Sequence, residues 1–200
     1  MLFRSPVPDL PPLVLGSTSR YRRELLERLG LPFDTERPEV EETPRAGEAP
    51  AALVELLARE KALAVAARRP GTWVIGSDQL AEFDGRSLGK PGDRTRAIAQ
   101  LAAMSGRDVV FLTAVCLARG DIAHALHVDR TVVRFRALRD EEIARYVDAE
   151  RPFDCAGSFK SEGRGIALFE AIETRDPTAL IGLPLIATAR MLREAGYALP

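Results

Sequence analysis

A single aspartate is the best candidate for chemistry in this sequence. Asp78 lies in the tetrapeptide Gly-Ser-Asp-Gln at residues 76–79, directly after an apolar run at 73–75. The run predicts a buried strand that ends at this tetrapeptide, and a carboxylate at a strand end in an α/β protein tends to point into a crevice. There it can deprotonate a water molecule or hold a divalent cation. Taken alone, however, the pattern favours an ordinary turn aspartate.

A segment rich in hydroxyls and arginines indicates where an anion would bind. Residues 17–23 read Ser-Thr-Ser-Arg-Tyr-Arg-Arg, between a short predicted strand at 13–15 and a predicted helix that stops at Gly30. The N–H groups at a helix N-terminus attract anions, and arginine side chains match phosphate oxygens. The alternative is a capping serine followed by a solvated basic face.

Two adjacent acids are candidates for a metal site. Glu41 and Glu42 follow a predicted exposed strand at 33–40. Because neighbouring residues on a strand face opposite ways, only one of the two would point toward a site. Solvated loop charge explains the pair equally well.

The sequence has only three lysines, Lys61, Lys90 and Lys160. Lys90 and Lys160 lie in glycine-containing turns, where a point cation suits phosphate binding. Lys61 lies in a predicted helix, and on its own it is typical of surface charge. Lys160 belongs to a loop at 157–163 that reads Gly-Ser-Phe-Lys-Ser-Glu-Gly, in which Glu162 and two serines offer hydrogen bonds. Without other support, that segment is a plain surface loop.

Composition excludes several classes of protein. The formal net charge of -1 leaves no excess of base for broad adhesion to nucleic acid or to a membrane. Cys116 and Cys155 are too far apart to indicate a disulfide scaffold or a metal-ligand spacing. Residues 1–12 hold four prolines and no long apolar run, so we expect no signal peptide and a cytoplasmic location.

The elements that would hold these residues alternate between strand and helix. Helical spacing predicts helices at 50–67, 91–104, 140–147 and 183–195, and extended patterns predict strands at 80–83 and 166–169 and a long hairpin of 108–117 with 122–135. This mixture predicts an α/β fold with a mixed central sheet and flanking helices. We expect one domain over residues 1–200, with 1–11 as a flexible N-terminal extension.

The order of the motifs resembles the Maf family of nucleotide pyrophosphatases. The matching segments run from about Leu13 to Ala195: residues 17–26, 41–42, 60–61, 76–79 and 89–91, Thr113, and residues 182–184. The resemblance implies two lobes around a central cleft. It also implies release of pyrophosphate from a nucleoside triphosphate, with a divalent cation, Mg or Mn, as cofactor.

The resemblance further implies a role for each motif residue. Asp78 matches the general base of the family, and the metal would be held by Asp78 and Glu42. The phosphates would be bound by a set of hydroxyls and cations: Ser17, Ser19, Arg22, Lys61 and Lys90, with Lys160 as a further candidate.

The late loop resembles the branch of the family that acts on 7-methyl-GTP, since it lacks the Gln-Gly pair of the dTTP/UTP branch. The specificity positions of that branch fall on Tyr21, Gln79 and Glu162, although the branch has Trp at the first of these and Pro where this chain has Arg20. A ring at Tyr21 would stack on the cationic 7-methylguanine base with a benefit on the order of 0.5–2 kcal/mol. Glu162 would accept hydrogen bonds from guanine N1–H and N2–H, and a pyrimidine would leave it unpaired.

Two alternatives stay open. Within the same class, the substrate would be dTTP, UTP or a non-standard nucleotide. In another class, the protein would be a nucleotide-binding regulator without turnover, although acids beside a triphosphate disfavour it. The expected partner is the nucleotide substrate, with no nucleic acid or membrane, and an apolar edge strand in the hairpin permits a homodimer.

Overall fold

The structure is a computed structural model that describes residues 10–41 and 49–200. In these residues the strands are β1 (Leu13–Gly16), β2 (Asp34–Thr35), β3 (Trp73–Phe83), β4 (Arg86–Leu88), β5 (Asp108–Arg119), β6 (Ile122–Phe135) and β7 (Phe169–Glu173). The helices are α1 (Arg20–Glu27), α2 (Pro50–Arg68), α3 (Arg94–Met104), α4 (Asp140–Glu150) and α5 (Leu185–Glu194). Short 3-10 turns occupy Ala156–Ser158, Arg164–Leu168 and Ala179–Ile181.

All seven strands belong to one mixed sheet in the order β2-β1-β3-β5-β6-β7, with β4 paired to β3. β1 is parallel to β2 and β3, and the remaining pairs are antiparallel. The predicted α/β class with a mixed central sheet is therefore confirmed. The predicted hairpin is confirmed as β5 and β6, whose registered pairs run from Asp108 with Arg134 to Arg119 with Ile122.

Helices cover both faces of the sheet. α2 packs on one face, against Val14, Val74 and Ala114. On the other face, α1 and α5 cover the half that contains Ile75, while α3 and α4 cover the half that contains Ala81. Between these two helix pairs, the 3-10 turn at Ala179–Ile181 contacts Gln79 in the middle of β3.

The long strand β3 differs from its prediction. The sequence predicted a strand that ends at residue 76 and a second one at 80–83, but β3 is continuous over 11 residues. The reason is β5, which pairs with β3 from Val74 to Glu82 although the parallel neighbour β1 stops at Gly16. Asp78 therefore lies in the middle of a strand, and its predicted position at a strand end is wrong.

Two other predicted strands are shorter than expected. In the segment predicted as a strand at 33–40, only Asp34–Thr35 is extended in a ladder. The carboxylate of Glu36 accepts hydrogen bonds from Arg68 and Arg69 at the end of α2. Further along, Pro38 has no N–H group to donate to a neighbouring strand, so the ladder does not continue. The segment at 166–169 is mostly a 3-10 turn, and the strand begins only at Phe169.

The predicted N-terminal extension falls largely outside the described residues. Its last two residues are described, and both make contacts. Leu10 packs against the core beside α5, and the Pro11 carbonyl accepts a hydrogen bond of 2.6 Å from Tyr197 Oη. Among the helices of the described ranges, none has the length and apolar character needed to span a bilayer.

Candidate active site

The candidate site lies at an open stretch of the edge of β3. β1 pairs with β3 as far as Gly76 and β4 begins its pairing at Ala81, so within the described ranges residues 77–80 have no strand neighbour on that edge. Because side chains alternate along a strand, Asp78 points to the face under α2, whereas Ser77 and Gln79 point to the opposite face. A ligand at this edge can therefore contact groups from both faces.

Asp78 forms an ion pair with a buried lysine. Lys61 Nζ lies 2.6 Å from Asp78 Oδ1, and both side chains are largely buried. A buried charge is tolerated when it is paired, so the ammonium offsets the cost of burying the ionised carboxylate. The interpretation of Lys61 as surface charge is thus wrong. With one oxygen fixed by the lysine, the carboxylate has a second oxygen that can accept a proton from water.

Two glycines allow α2 to bring Lys61 to this position. A Cβ atom at Gly76 would overlap the Ala58 carbonyl oxygen and would lie 2.5 Å from Ala62 N, both on the backbone of α2. A Cβ atom at Gly16 would lie 3.3 Å from the Lys61 carbonyl oxygen. The missing side chains therefore let the helix approach the sheet closely, next to Asp78.

Ser17, Ser19 and Arg22 form one hydrogen-bonded loop at the start of α1. Ser17 Oγ accepts from Ser19 N at 3.1 Å and from Arg22 Nη1 at 3.5 Å. Ser19 Oγ accepts from Arg22 N at 3.4 Å and so caps the helix. A capped helix N-terminus beside a fixed guanidinium is a suitable anion site.

One carbonyl oxygen connects this loop to β3. The carbonyl oxygen of Gly182 accepts a hydrogen bond from Arg22 Nε at 2.9 Å and another from Ser77 Oγ at 3.0 Å. The residue before Asp78 and the arginine of the loop are therefore held by the same atom. Gly182 has a φ of 131°, a conformation that side-chain-bearing residues rarely adopt.

A cleft of about 800 Å³ runs along the open edge. This volume suits a small-molecule ligand of nucleotide size. Its lining combines hydroxyls, cations and a carboxylate, and it includes most of the residues predicted from the sequence: Ser17, Ser19, Tyr21, Arg22, Lys61, Asp78, Gln79 and Lys90. The structure thus brings these side chains together from four separate segments of the chain.

A smaller pocket of about 120 Å³ continues from the cleft on the Gln79 face of the sheet. Tyr21, Gln79 and Glu162 all line it, so the three predicted specificity positions meet in one place. Asp154 and Phe159 complete a wall that offers several acceptors and one aromatic edge.

The guanidinium of Arg20 lies over one face of the Tyr21 ring. The Arg20 guanidinium lies 4.8 Å from the ring centroid, and its Nη2 donates to Tyr21 Oη at 3.1 Å. Burial raises the pKa of Tyr21 to about 12, so the side chain is a neutral phenol at physiological pH. Any base that stacks on Tyr21 must use the part of the ring that Arg20 leaves uncovered.

Cys155 adds a thiol to the same pocket. Burial is the main reason that its pKa rises to about 12, with a further contribution from Asp154. Because thiolate is the nucleophilic form, a thiol that stays protonated at neutral pH is inert. The Cys155 thiol is therefore a weak nucleophile at neutral pH, and its Sγ lies 4.0 Å from Tyr21 Oη.

A family model described as "Maf-like protein" matches residues 12–195. The chain belongs to the Maf family. The match spans the serine–arginine loop at the start of α1, the Asp78 strand and the segment that carries Gly182, so the clustered residues all lie inside the matched segment.

Curated relatives of this Maf chain carry one specific name. A protein of Xanthomonas oryzae pv. oryzae named 7-methyl-GTP pyrophosphatase is 64% identical over 192 residues, which cover 96% of this chain and 100% of that protein. A protein of Burkholderia thailandensis with the same name is 58% identical over 195 residues, 96% of this chain and 91% of that protein. A solved HAM1 protein of Coxiella burnetii shares the fold, with a TM-score of 0.50 and 17% identity over 92% of this chain and 100% of that one.

One predicted phosphate ligand of the Maf chain is not brought to the cleft. Lys160 Nζ donates to the Glu150 carbonyl oxygen at 3.0 Å, and the backbone N of Lys160 donates to Tyr146 Oη at 2.9 Å. Both contacts fasten the late loop to α4. In the structure, Lys160 therefore supports the loop that carries Glu162.

The predicted metal ligands are only partly described. Glu42 lies outside the described residues, and Glu41 is exposed. Within residues 10–41 and 49–200, no cluster of three or more His, Cys, Asp or Glu side chains is arranged around a metal position. Mg²⁺ in phosphate-transferring sites needs only one or two carboxylates in addition to the phosphates of the substrate, and Asp78 fits that requirement.

Sequence reasoning missed three parts of the Maf site. The Ser77 hydroxyl and the Gly182 carbonyl form the connection described above, and Thr113 contacts Gln79 from β5. Thr113 and Gly182 were present only as positions in the ordered motifs. Thr113 is the only polar residue of the segment 108–117 besides Asp108 at its start, and this was the one signal that pointed to it.

Proposed function

We propose that this protein hydrolyses 7-methyl-GTP to 7-methyl-GMP and pyrophosphate. The observation that carries the proposal is the cleft at the open edge of β3. It has a buried carboxylate–lysine pair beside an arginine-and-serine loop on one side and an acceptor-rich pocket on the other. The name shared by the curated relatives supports both the reaction and the base.

The proposed step is a direct attack by water. Asp78 accepts a proton from a water molecule whose oxygen forms a bond to the α-phosphorus. The bond from that phosphorus to the oxygen bridging to the β-phosphorus breaks, and pyrophosphate leaves with the electron pair. Ser17, Ser19 and Arg22, together with Lys90, bind the phosphate oxygens and offset their charge. No covalent enzyme intermediate is required.

A divalent cation, Mg or Mn, belongs to the proposal as a cofactor. Asp78 and Glu42 would hold it together with the phosphates. When bound, it supplies positive charge that stabilises the triphosphate and the departing pyrophosphate.

The base is selected in the smaller pocket. Tyr21 stacks on the ring that carries the delocalised positive charge, and Glu162 accepts from the N1–H and N2–H donors of guanine. Arg20 covers part of Tyr21, so stacking on this tyrosine is weaker than on an uncovered ring.

The setting of the reaction is also a proposal. We expect a cytoplasmic protein with no nucleic-acid or membrane partner, supported by the near-zero net charge and by two cysteines that are both free thiols. A homodimer would use the outer edge of β6, where β7 pairs only with residues 132–135.

The test is pyrophosphate release from a panel of 7-methyl-GTP, GTP, dTTP, UTP and ITP, with and without Mg²⁺ or Mn²⁺. We expect 7-methyl-GTP to give the highest kcat/KM and to require the metal. Asp78→Asn should lower kcat by roughly 10²–10⁴-fold.

Asp121→Asn, an exposed change at the turn of the hairpin, is the matched control and should retain full activity. Circular dichroism of both variants separates loss of catalysis from loss of fold. Highest turnover with dTTP or UTP would overturn the substrate assignment. Tight nucleotide binding without turnover would favour the regulator instead.

A further inference from the structure

The side chain of Gln79 is held by three acceptors. Its Nε2 donates to Thr113 Oγ1 at 3.0 Å, to the Ala179 carbonyl at 3.0 Å and to the Leu180 carbonyl at 2.9 Å. An amide nitrogen has two protons, so these contacts use all of its donor capacity. Within the described residues Oε1 accepts no hydrogen bond, and Gln79 lines both the cleft and the smaller pocket.

The opposite orientation of the amide is excluded by the same neighbours. Backbone carbonyls only accept, so Oε1 placed against Ala179 and Leu180 would leave both carbonyls facing another acceptor. Thr113 is the third neighbour, and its hydroxyl could in principle either donate or accept. Its single proton is committed, because Thr113 Oγ1 donates to the Ala179 carbonyl at 2.9 Å. Its lone pair therefore faces Gln79.

From these contacts we propose that Thr113 is a positioning residue for base selection. By accepting from Nε2, it turns Oε1 of Gln79 into the pocket as a fixed acceptor for an N–H donor of the purine. Thr113 is 1% exposed and lies directly across from Gln79 in the β3–β5 ladder, so it cannot contact the substrate itself. This inference rests on the proposed function, since it adds a second acceptor, Gln79 Oε1, beside Glu162 at the guanine edge.

The chemistry of the pocket fits an acceptor at this point. Glu162 and Asp154 also line it, and both are acceptors when ionised. Guanine presents N1–H and N2–H donors on its Watson–Crick edge, whereas adenine presents the N1 acceptor at the corresponding position. A fixed Oε1 therefore favours the guanine edge. Without the Thr113 acceptor, Nε2 keeps only the Ala179 and Leu180 carbonyls, and an amide held less firmly would lose part of that preference.

The experiment compares Thr113→Val with Thr113→Ser. Valine keeps the volume and removes both the acceptor for Gln79 Nε2 and the donor to the Ala179 carbonyl, whereas serine keeps the hydroxyl. We expect Thr113→Val to lower the ratio of kcat/KM for 7-methyl-GTP to that for ATP by about tenfold, mainly through a higher KM for 7-methyl-GTP. Thr113→Ser should retain the ratio.

Thr188→Val is the matched control. Thr188 is also a buried threonine whose hydroxyl donates to a backbone carbonyl, that of Pro184 at 2.7 Å, but it lies on α5. It should lose stability without changing the ratio. A wild-type ratio in Thr113→Val, or an equal change in Thr188→Val, would overturn the inference.

A second measurement does not depend on turnover. The side-chain NH₂ signals of Gln79, assigned by their loss in Gln79→Leu, should exchange slowly with solvent in the wild type and faster in Thr113→Val. If the Gln79 NH₂ protons exchange quickly with solvent in the wild type, the positioning role of Thr113 is contradicted, whatever the substrate is. Absence of 7-methyl-GTP hydrolysis by the wild-type protein, with slow exchange intact, contradicts only the proposed function.

Discussion

Asp78 and Lys61 depend on each other at the scale of single residues. Their side chains meet at 2.6 Å in a largely buried position, where loss of Lys61 would leave the Asp78 carboxylate without this counter-ion. Breaking such a pair costs about 3–5 kcal/mol of folding free energy. Lys61 therefore acts first on the carboxylate, and its binding of phosphate stays a prediction.

Glu162 is the residue whose replacement tests the choice of base. In Glu162→Gln the side chain keeps its size but exchanges one acceptor oxygen for a donor and loses its charge. We expect kcat/KM for 7-methyl-GTP to fall by about tenfold or more while that for dTTP changes little, because only the cationic purine uses the carboxylate. Pyrophosphate release on the two substrates measures this ratio. Asp154→Asn removes a second carboxylate from the same pocket, and an equal effect there would show that net charge, and not Glu162, selects the base.

Much of the site was predictable at this scale, because anion-binding loops and strand carboxylates have recognisable residue types. The burial of Lys61 was not predictable, since a lysine in a helix is exposed in most proteins. Its burial depends on how closely α2 approaches β3. Lys160 shows the converse: its turn context suited phosphate binding, but a carbonyl on α4 holds it elsewhere.

At the scale of elements, the contact between α2 and β3 decides the geometry of the site. Gly76 occupies the point of closest approach, two residues before Asp78 on the same face of the strand. The helix was predictable from its spacing. Its distance from the sheet was not, because that distance is fixed by a glycine whose role only the packed structure reveals.

Gly76→Ala should damage both stability and activity. The added methyl group would overlap the α2 backbone, which cannot move as a flexible side chain would. We expect a loss of at least about 1–3 kcal/mol in the free energy of unfolding, together with reduced kcat as Lys61 moves away from Asp78. Urea denaturation measures the first quantity. Gly89→Ala adds the same methyl group where no atom lies within 4 Å, so its melting temperature should be unchanged. Wild-type stability in Gly76→Ala would contradict the close packing.

Across the whole molecule, a row of polar groups joins the outer strands to the segment before α5. Thr131 Oγ1 donates to Thr174 Oγ1 at 3.0 Å, and Thr174 Oγ1 lies 2.9 Å from the Asp176 carbonyl and 3.4 Å from Asp129 Oδ1. Burial, and then the charge of Asp176, raise the pKa of Asp129 above its ordinary value. The folded state consequently binds a proton at Asp129 more tightly than the unfolded chain does.

The raised pKa of Asp129 predicts how the stability of the fold depends on pH. Because the folded pKa is the higher one, Asp129 lowers stability progressively as the pH rises from about 4 through that pKa. Asp129→Asn should therefore raise the melting temperature at neutral pH, with a gain that disappears as the pH falls below about 4. Thermal unfolding as a function of pH measures the difference. Asp121→Asn, in the exposed hairpin turn, should show no such gain. A uniform loss of stability in Asp129→Asn at every pH would contradict the assignment.

The overall architecture was more predictable than its junctions. The β5–β6 hairpin and the helices follow from alternation and helical spacing. The continuous strand through Asp78 could not be predicted in this way. β3 continues past the end of β1 only by pairing with β5, a partner about 35 residues later in the chain. Long-range pairing of this kind has no local pattern in the sequence.

The Gly182 oxygen has a consequence for how the protein is made. It lies 160 residues after Arg22 and 105 residues after Ser77, the two groups that it holds. Because a chain is synthesised from its N-terminus, the serine–arginine loop before α1 and the Asp78 strand emerge well before the atom that joins them. A growing chain that already carries both motifs still lacks the atom that joins them, so we expect the cleft to assemble only after translation has passed Gly182.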